Sequence, residues 1–178
     1  TVGANLGSLY ARAAGTNDPQ TGMPTNSLLF PRAVEPDSQP GQESFGRFGS
    51  TGGLGAAYAP FTPGGNGDFQ DSLTLKMPIE RLDDRRGLLA QLDRIDRRLE
   101  AEAGLAGVNR FREQAVSTIV KGVAKAFDLS QEDPAVVARY DTAPLVRPEN
   151  ISRKWNNYNF YVDNAKTLGK LLLLARRL

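Results

Sequence analysis

The run IERLDDRRGLLAQLDRIDRRLEAE, Ile79–Glu102, repeats its apolar residues at the period of an α-helix. At about 100° per residue, Leu82, Leu88, Leu89, Leu92, Ile95 and Leu99 fall on one arc, with most charges opposite. A helix of this kind has one face to bury, so the remaining chain must supply a surface for it. Asp93 and Arg97 stand one turn apart in the favourable order, a pairing worth a few tenths of a kcal/mol. Gly104 and Gly107 follow as stop signals. Arg81 and Arg85 intrude on the arc near its start. The better reading lays their aliphatic stems over the rim of a core. The sharper one makes them an anion contact at a helix N-terminus.

A second periodic stretch at residues 108–127 carries Val108, Phe111, Ala115, Ile119, Val123 and Phe127 on one face. With a short connection between the two, a helical hairpin is expected. The following AFDLSQEDPAVVARY predicts a short helix ending near Tyr140. Its cap is either Ser130, with Asp133 three residues on, or Asp133, with Pro134 at the first helical position. The domain plan from residue 79 is therefore a hairpin plus short helix to residue 140, then a segment 141–165, then a last helix over 166–178.

Ahead of this unit, residues 1–78 hold a helix, a strand and a loop. Leu6, Leu9, Tyr10 and Ala13 have helical spacing, and Gly15 ends them. Ser27–Phe30, SLLF, is bounded by turn residues and by Pro31, which suits a short buried strand. Leu73–Met77 alternates weakly and reads as an edge strand ending at Pro78. Between them, nine of the eighteen glycines lie from Gly41 to Gly67, mixed with Phe45, Phe48, Tyr58 and Phe61. A stretch this long without periodicity is either functional or packed down by its aromatics. Taken by itself, the segment is mostly α-helical, with two short strands and a long Gly-rich loop.

Composition narrows the chemistry. Histidine and cysteine are both absent from the 178 residues. Ser-His-Asp and Cys-His catalysis are removed, together with the usual zinc ligands. An all-carboxylate Mg²⁺ or Ca²⁺ site stays conceivable. The net charge is +2 with acids and bases interspersed, so neither nucleic acid nor an anionic membrane is indicated. No run approaches the length of a membrane-spanning helix, and no secretory leader opens the chain.

Three further features imitate sites. Gly53-Leu54-Gly55 begins like a dinucleotide fingerprint, but Tyr58 stands where a third small residue belongs, and no clear strand precedes it. Ser50-Thr51 beside Gly52-Gly53 resembles an exposed nucleophile without a base to activate it. RKWNNYNFY, residues 153–161, interleaves cations and aromatics as a stacking surface does. A loop anchored by Trp155 and Tyr158 is the better reading of it.

The final AKTLGKLLLLARRL puts Leu168, Leu171, Leu172 and Ala175 on one helical side, with Arg176 and Arg177 in a last turn. Leu173, Leu174 and Leu178 widen the apolar surface. Such a helix wants cover on most sides. It reads as cut, not finished.

Five pieces then align in order with a known pattern: LLFP at Leu28–Pro31, LGAAYAPF at Leu54–Phe61, LDDRRGLLAQLD at Leu82–Asp93, AFDLSQE at Ala126–Glu132 and LLLARRL at Leu172–Leu178. Together they resemble the interior of a bacterial family called domain of unknown function 1501, which is similar to the alkaline phosphatase and sulfatase superfamily. The resemblance implies a larger α/β protein, a central sheet covered by helices, exported through a twin-arginine signal and so periplasmic or exported. It also implies that the Asp and His metal ligands lie outside this segment. One group would precede residue 1, and a Trp-Asp-x-His stretch would follow Leu178. No catalytic, cofactor-binding or metal residue of the family maps onto residues 1–178, and a divalent metal would belong to the parent protein. One departure stands out. Where the family continues through a Gly-Arg segment, Asp141 opens the longer insert 141–165. The functional expectation is a non-catalytic inner segment of a metal-dependent hydrolase of phosphate or sulfate esters, whose partner is the remainder of its own chain. The alternative is a self-standing helical module that binds a carbohydrate or a protein through RKWNNYNFY and the glycine loop.

Overall fold

The computed structural model describes residues 3–41, 45–64, 80–85, 87–88, 114–116, 118–119, 121–154 and 156–178. It is mostly helical with little strand. Three helices are complete: α1 (Leu6–Ala14), α2 (Pro134–Tyr140) and α3 (Tyr158–Arg177). Short 3-10 turns connect them, among them Pro31–Ala33, Gly52–Leu54, Ala56–Tyr58 and Val123–Phe127.

The expected strand at Ser27–Phe30 is not one. Ser27 makes a single parallel bridge to Phe61, and Leu28, Leu29 and Phe30 run on half-buried. The two backbone bonds there, Leu28 N to Phe61 O and Phe61 N to Asn26 O, are 2.9 and 2.8 Å. Pro31 removes the next donor and starts a 3-10 turn, which ends the pairing after one bridge. Among the described residues the other bridges, Ala4 with Thr51 and Asn17 with Pro24, are equally isolated. The strand expected at Leu73–Met77 lies outside the described residues.

Helix α1 forms where its spacing predicts, and its spaced apolar residues lie away from the side that packs. Leu6, Leu9 and Tyr10 are 82, 50 and 58% exposed, and Ala13 is also exposed. The buried residues are Ser8 and Ala11. The reason is polar. Asn5 caps the helix by accepting from Ser8 N at 2.7 Å, and donates its amide to Ser50 O at 3.0 Å. Ser8 Oγ donates to Tyr58 O at 2.7 Å. The small residues on this side let the 3-10 turn Ala56–Tyr58 come close, and hydrogen bonds to buried carbonyls replace apolar contact.

Residues 80–85, 87 and 88 are helical, as predicted. Leu82 is half-buried, whereas Leu88, assigned to the covered arc, is 59% exposed. Arg81 and Arg85 are both exposed. Residues 89–113, which contain the rest of the arc and the connection of the expected hairpin, lie outside the described residues. The second helix is helical at 114–116, 118 and 119. It does not run to residue 127 as its periodicity suggests. Gly122 takes left-handed dihedrals, φ 70° and ψ 31°, and its N–H closes on Ile119 O at 3.2 Å. This conformation suits a residue without Cβ and ends the helix there. Val123 and Phe127 still reach the interior from the 3-10 turn that follows. Ala115, placed on the apolar face, is exposed.

The short helix α2 uses Asp133 as its cap, accepting from Ala135 N at 2.7 Å, with Pro134 at the first helical position. Of the two alternatives for its start, this is the one formed. Ser130 instead donates its N–H to the carboxylate of Asp128, which caps a separate 3-10 turn at Leu129–Gln131.

The centre of the core joins Val123, Phe127 and Leu174, covered by Leu29, Val34, Phe61 and Leu178 among others. The Phe61 and Phe127 rings meet at 5.5 Å between centroids, tilted by 53°. Helix α3 supplies Leu173 and Leu174, both 0% exposed. It begins at Tyr158, ahead of the residue 166 start that its leucine pattern suggests. Its leucines call for cover on most sides, and the structure covers one side only, that of Leu173 and Leu174. Leu168 and Leu172 are 52 and 57% exposed and Ala175 is exposed, while Thr167 and Gly169 are buried with the two leucines. The decisive contact is at Gly169. A Cβ there would lie 1.7 Å from Tyr140 O, so only glycine admits the end of α2. Thr142 Oγ seals the junction against the carbonyls of Ala165 and Lys166, each at 2.9 Å.

Arg177 locks the far end of α3. Its Nε donates to Ala126 O and its Nη2 to Lys125 O, both at 2.8 Å, and Nη1 pairs with Glu132. Among the described residues, no helix is long and apolar enough to cross a membrane.

Candidate functional site

The features that imitate catalytic or phosphate sites have structural employment. Ser50 Oγ donates to Gly3 O at 2.9 Å and accepts from Gly52 N at 3.3 Å, so it ties the chain start to the loop. Gly53-Leu54-Gly55 sits in a 3-10 turn followed by Gly55 at φ 87° and another 3-10 turn. A phosphate cradle needs a strand before it and the N-terminus of a real helix after it. Neither is present at this loop. Among the described residues, no group of three or more acidic side chains is placed to hold a metal ion.

The stretch RKWNNYNFY is mostly exposed, but several of its side chains bond to one another and to the chain just before it. The Arg153 guanidinium lies 4.7 Å from the centre of the Tyr158 ring, and Tyr158 Oη donates to Pro148 O at 3.3 Å. Asn157 Nδ2 donates to Tyr161 Oη at 2.9 Å. Tyr158 is thus an anchor, as expected, although it opens α3 instead of standing in a loop. Trp155 lies outside the described residues.

Phe160, from the same stretch, does something else. It meets Phe30, Pro40, Gly41 and Phe48 around a pocket of about 400 Å³ between the Pro31–Ala33 turn, the start of the glycine loop and α3. That volume lies within the usual range for small-ligand pockets, about 300–1,000 Å³. Asp163 and Asn164 bring polar atoms to its wall, one turn beyond Phe160. The Asp163 carboxylate accepts from Gln39 N at 2.7 Å, which pins the loop to the helix. Gly41 is required here by space, since a Cβ would stand 2.3 Å from the Phe30 ring.

Both stretches that the sequence singled out for binding therefore contribute to one pocket, through Phe160 and through Gly41 with Phe48. The sequence did not mark Phe30, Asp163 or Asn164. The SLLF pattern makes Phe30 a strand end, and the leucine pattern starts the last helix at residue 166, after Asp163. An acid three residues after a phenylalanine, on one helical face, was the available signal. Arg81 and Arg85, which also admit an anion-contact reading, are both exposed on the helix surface.

Comparison with protein-family models, with curated proteins and with solved structures finds no match to this chain.

Proposed function

We propose that this chain is a non-catalytic segment of a larger, exported, metal-dependent hydrolase of phosphate or sulfate esters, with an alkaline-phosphatase-like α/β fold. The observation that carries this reading is apolar surface left uncovered on the first and last helices. On α3, Tyr161, Leu168, Leu172 and Ala175 follow one another at helical spacing on the side away from the core, and all four are exposed. On α1, Leu6, Leu9 and Tyr10 do the same. Leaving leucines in water forgoes about 1.5–3 kcal/mol each, and contiguous patches of this kind mark contact surfaces. A sheet packed by covering helices is the partner that the five ordered sequence pieces imply. In such a protein these residues would hold the scaffold, while metal-activated water did its work elsewhere.

The test compares the 178-residue chain with a longer product of the same reading frame. The chain alone should show no zinc-dependent turnover of 4-nitrophenyl phosphate or sulfate. It should bind an apolar dye at α1 and α3, and the longer product should not. Turnover by the chain alone, or equal dye binding by both, overturns the reading.

A second reading, a binding module, is favoured by the pocket at Phe160, because it unites the two stretches proposed to hold a ligand. It is tested by direct titration with small ligands, independently of any hydrolase activity.

A further inference from the structure

The pocket's walls restrict its occupant. Three phenylalanine rings, from Phe30, Phe48 and Phe160, and Pro40 offer neither donors nor acceptors. A sugar would find only Gln39, Asp163 and Asn164 for its several hydroxyls, and those turned to the rings would be buried without partners, which is costly. An anion would face the Asp163 carboxylate, and among the described residues no lysine or arginine lines the pocket to compensate.

Asp163 itself is half engaged. One carboxylate oxygen takes the Gln39 N–H at 2.7 Å, and the other takes no hydrogen bond among the described residues. Lys170, two turns along the same side of α3, is held by Glu35 at 3.3 Å and does not neutralise it. Lys166, one turn along, is exposed. A purely apolar ligand would press on this carboxylate and strip its water without replacing it. An organic ammonium ion meets every wall. Its charge would be met by the Asp163 carboxylate in the wall, and its methyl or methylene groups by the three rings, whose quadrupole attracts cations.

We propose that the pocket between the Pro31–Ala33 turn and α3 is a binding site for a small organic ammonium ion, with Asp163 as counter-ion and Phe30, Phe48 and Phe160 as the cage. This rests on the binding reading of the pocket and names its ligand class.

The experiment is isothermal titration of the full chain with choline, with its uncharged carbon isostere 3,3-dimethyl-1-butanol, and with methyl glucoside. Choline should bind saturably, and the isostere about tenfold more weakly or worse. Asp163→Asn keeps an acceptor for Gln39 N and removes the charge, so it should bring choline down to the level of the isostere. Phe48 is 55% exposed, so Phe48→Leu should leave the melting midpoint in place and still weaken choline several-fold. Equal binding of choline and isostere, or no effect of Asp163→Asn, overturns the ammonium assignment. Binding of the glucoside alone overturns it too, while keeping the pocket as a ligand site. No response to any probe overturns both the assignment and the binding reading.

Discussion

Helices α1 and α3 are held in opposite ways. Helix α3 buries Leu173 and Leu174 completely, accepts the end of α2 at Gly169 and is clamped by Arg177. Helix α1 buries only small residues, Ser8 and Ala11, and is fixed by Asn5 and Ser8 to backbone carbonyls of the glycine loop. One docking is a matter of shape and apolar area, the other of directed hydrogen bonds. The difference teaches that an apolar stripe shows which residues have something to gain from burial, not which side a neighbour will meet. Both helices carry such a stripe, and both turn it outward.

If shape rules at α3, its tightest point should be its most sensitive. Gly169→Ala gains about 1 kcal/mol of helix propensity. It also sets a methyl group against the Tyr140 carbonyl, where overpacking costs about 3 kcal/mol or more. A net loss of about 2 kcal/mol in urea denaturation is expected. A stabilised variant would show that the α2–α3 junction is looser than the structure has it.

Next comes the clamp. Arg177→Ala takes the guanidinium from the Ala126 carbonyl and the Glu132 carboxylate and leaves the Lys125 carbonyl with Asp128 N alone, in a site where both side chains are less than one-fifth exposed (17 and 18%). A loss of about 2 kcal/mol is expected. Arg177→Lys restores one charge but not three directed bonds, and should recover less than half. Full recovery with lysine would mean that charge alone matters at this end of α3.

At α1 the corresponding change is Asn5→Ala. It removes a cap and a tie to Ser50 O, and should cost about 1 kcal/mol. The loss should appear as faster amide exchange in residues 6–14 before global unfolding. If exchange at α1 does not move, the apolar side of this helix is doing the docking after all.

The smallest effect belongs to the turn at Asp18. Its carboxylate accepts from Thr21 N at 2.7 Å, from Thr21 Oγ at 2.9 Å and from Gln20 N at 2.9 Å. Those bonds, the Thr21 backbone first, hold the carboxyl below its usual 3.8. A folded value below the unfolded one means that the stabilisation is present above the unfolded pKa and is lost as pH falls through the folded value. The turn should therefore loosen only below about pH 4. A carboxyl NMR titration of Asp18 with a midpoint at or above the usual value would remove this contribution.

Much of the local structure was legible before any coordinates. Helix α1 and its Gly15 stop, the Asp133-Pro134 start of α2 and a leucine-rich last helix all follow from nearest-neighbour chemistry: caps, fixed proline dihedrals and period. The anchoring role of Tyr158 was legible too, because aromatics between turns need something to pack on. The departures have two origins. The Ser27–Phe30 pairing and the second helix stop at single backbone positions, Pro31 and Gly122, that cut across an apolar pattern. The packing sides of α1 and α3 depend on residues distant in sequence, Ser50 and Tyr58 for one and Tyr140 for the other.

The candidate site divides along the same line. Phe160 and the glycine loop attracted notice as compositions, yet their meeting with Phe30 and Asp163 required α3 to start at Tyr158 and the loop to be pinned through Gln39. By itself, the sequence determined α1 with its Gly15 stop, the start of α2 and a helical last stretch, and the absence of histidine and cysteine chemistry, because propensity, capping and side-chain inventory are local or compositional. Only the tertiary structure decided which faces packed and where a pocket opened. Both turn on single close approaches, at Gly169 and Gly41, and on hydrogen bonds that span tens of residues, which no local pattern encodes.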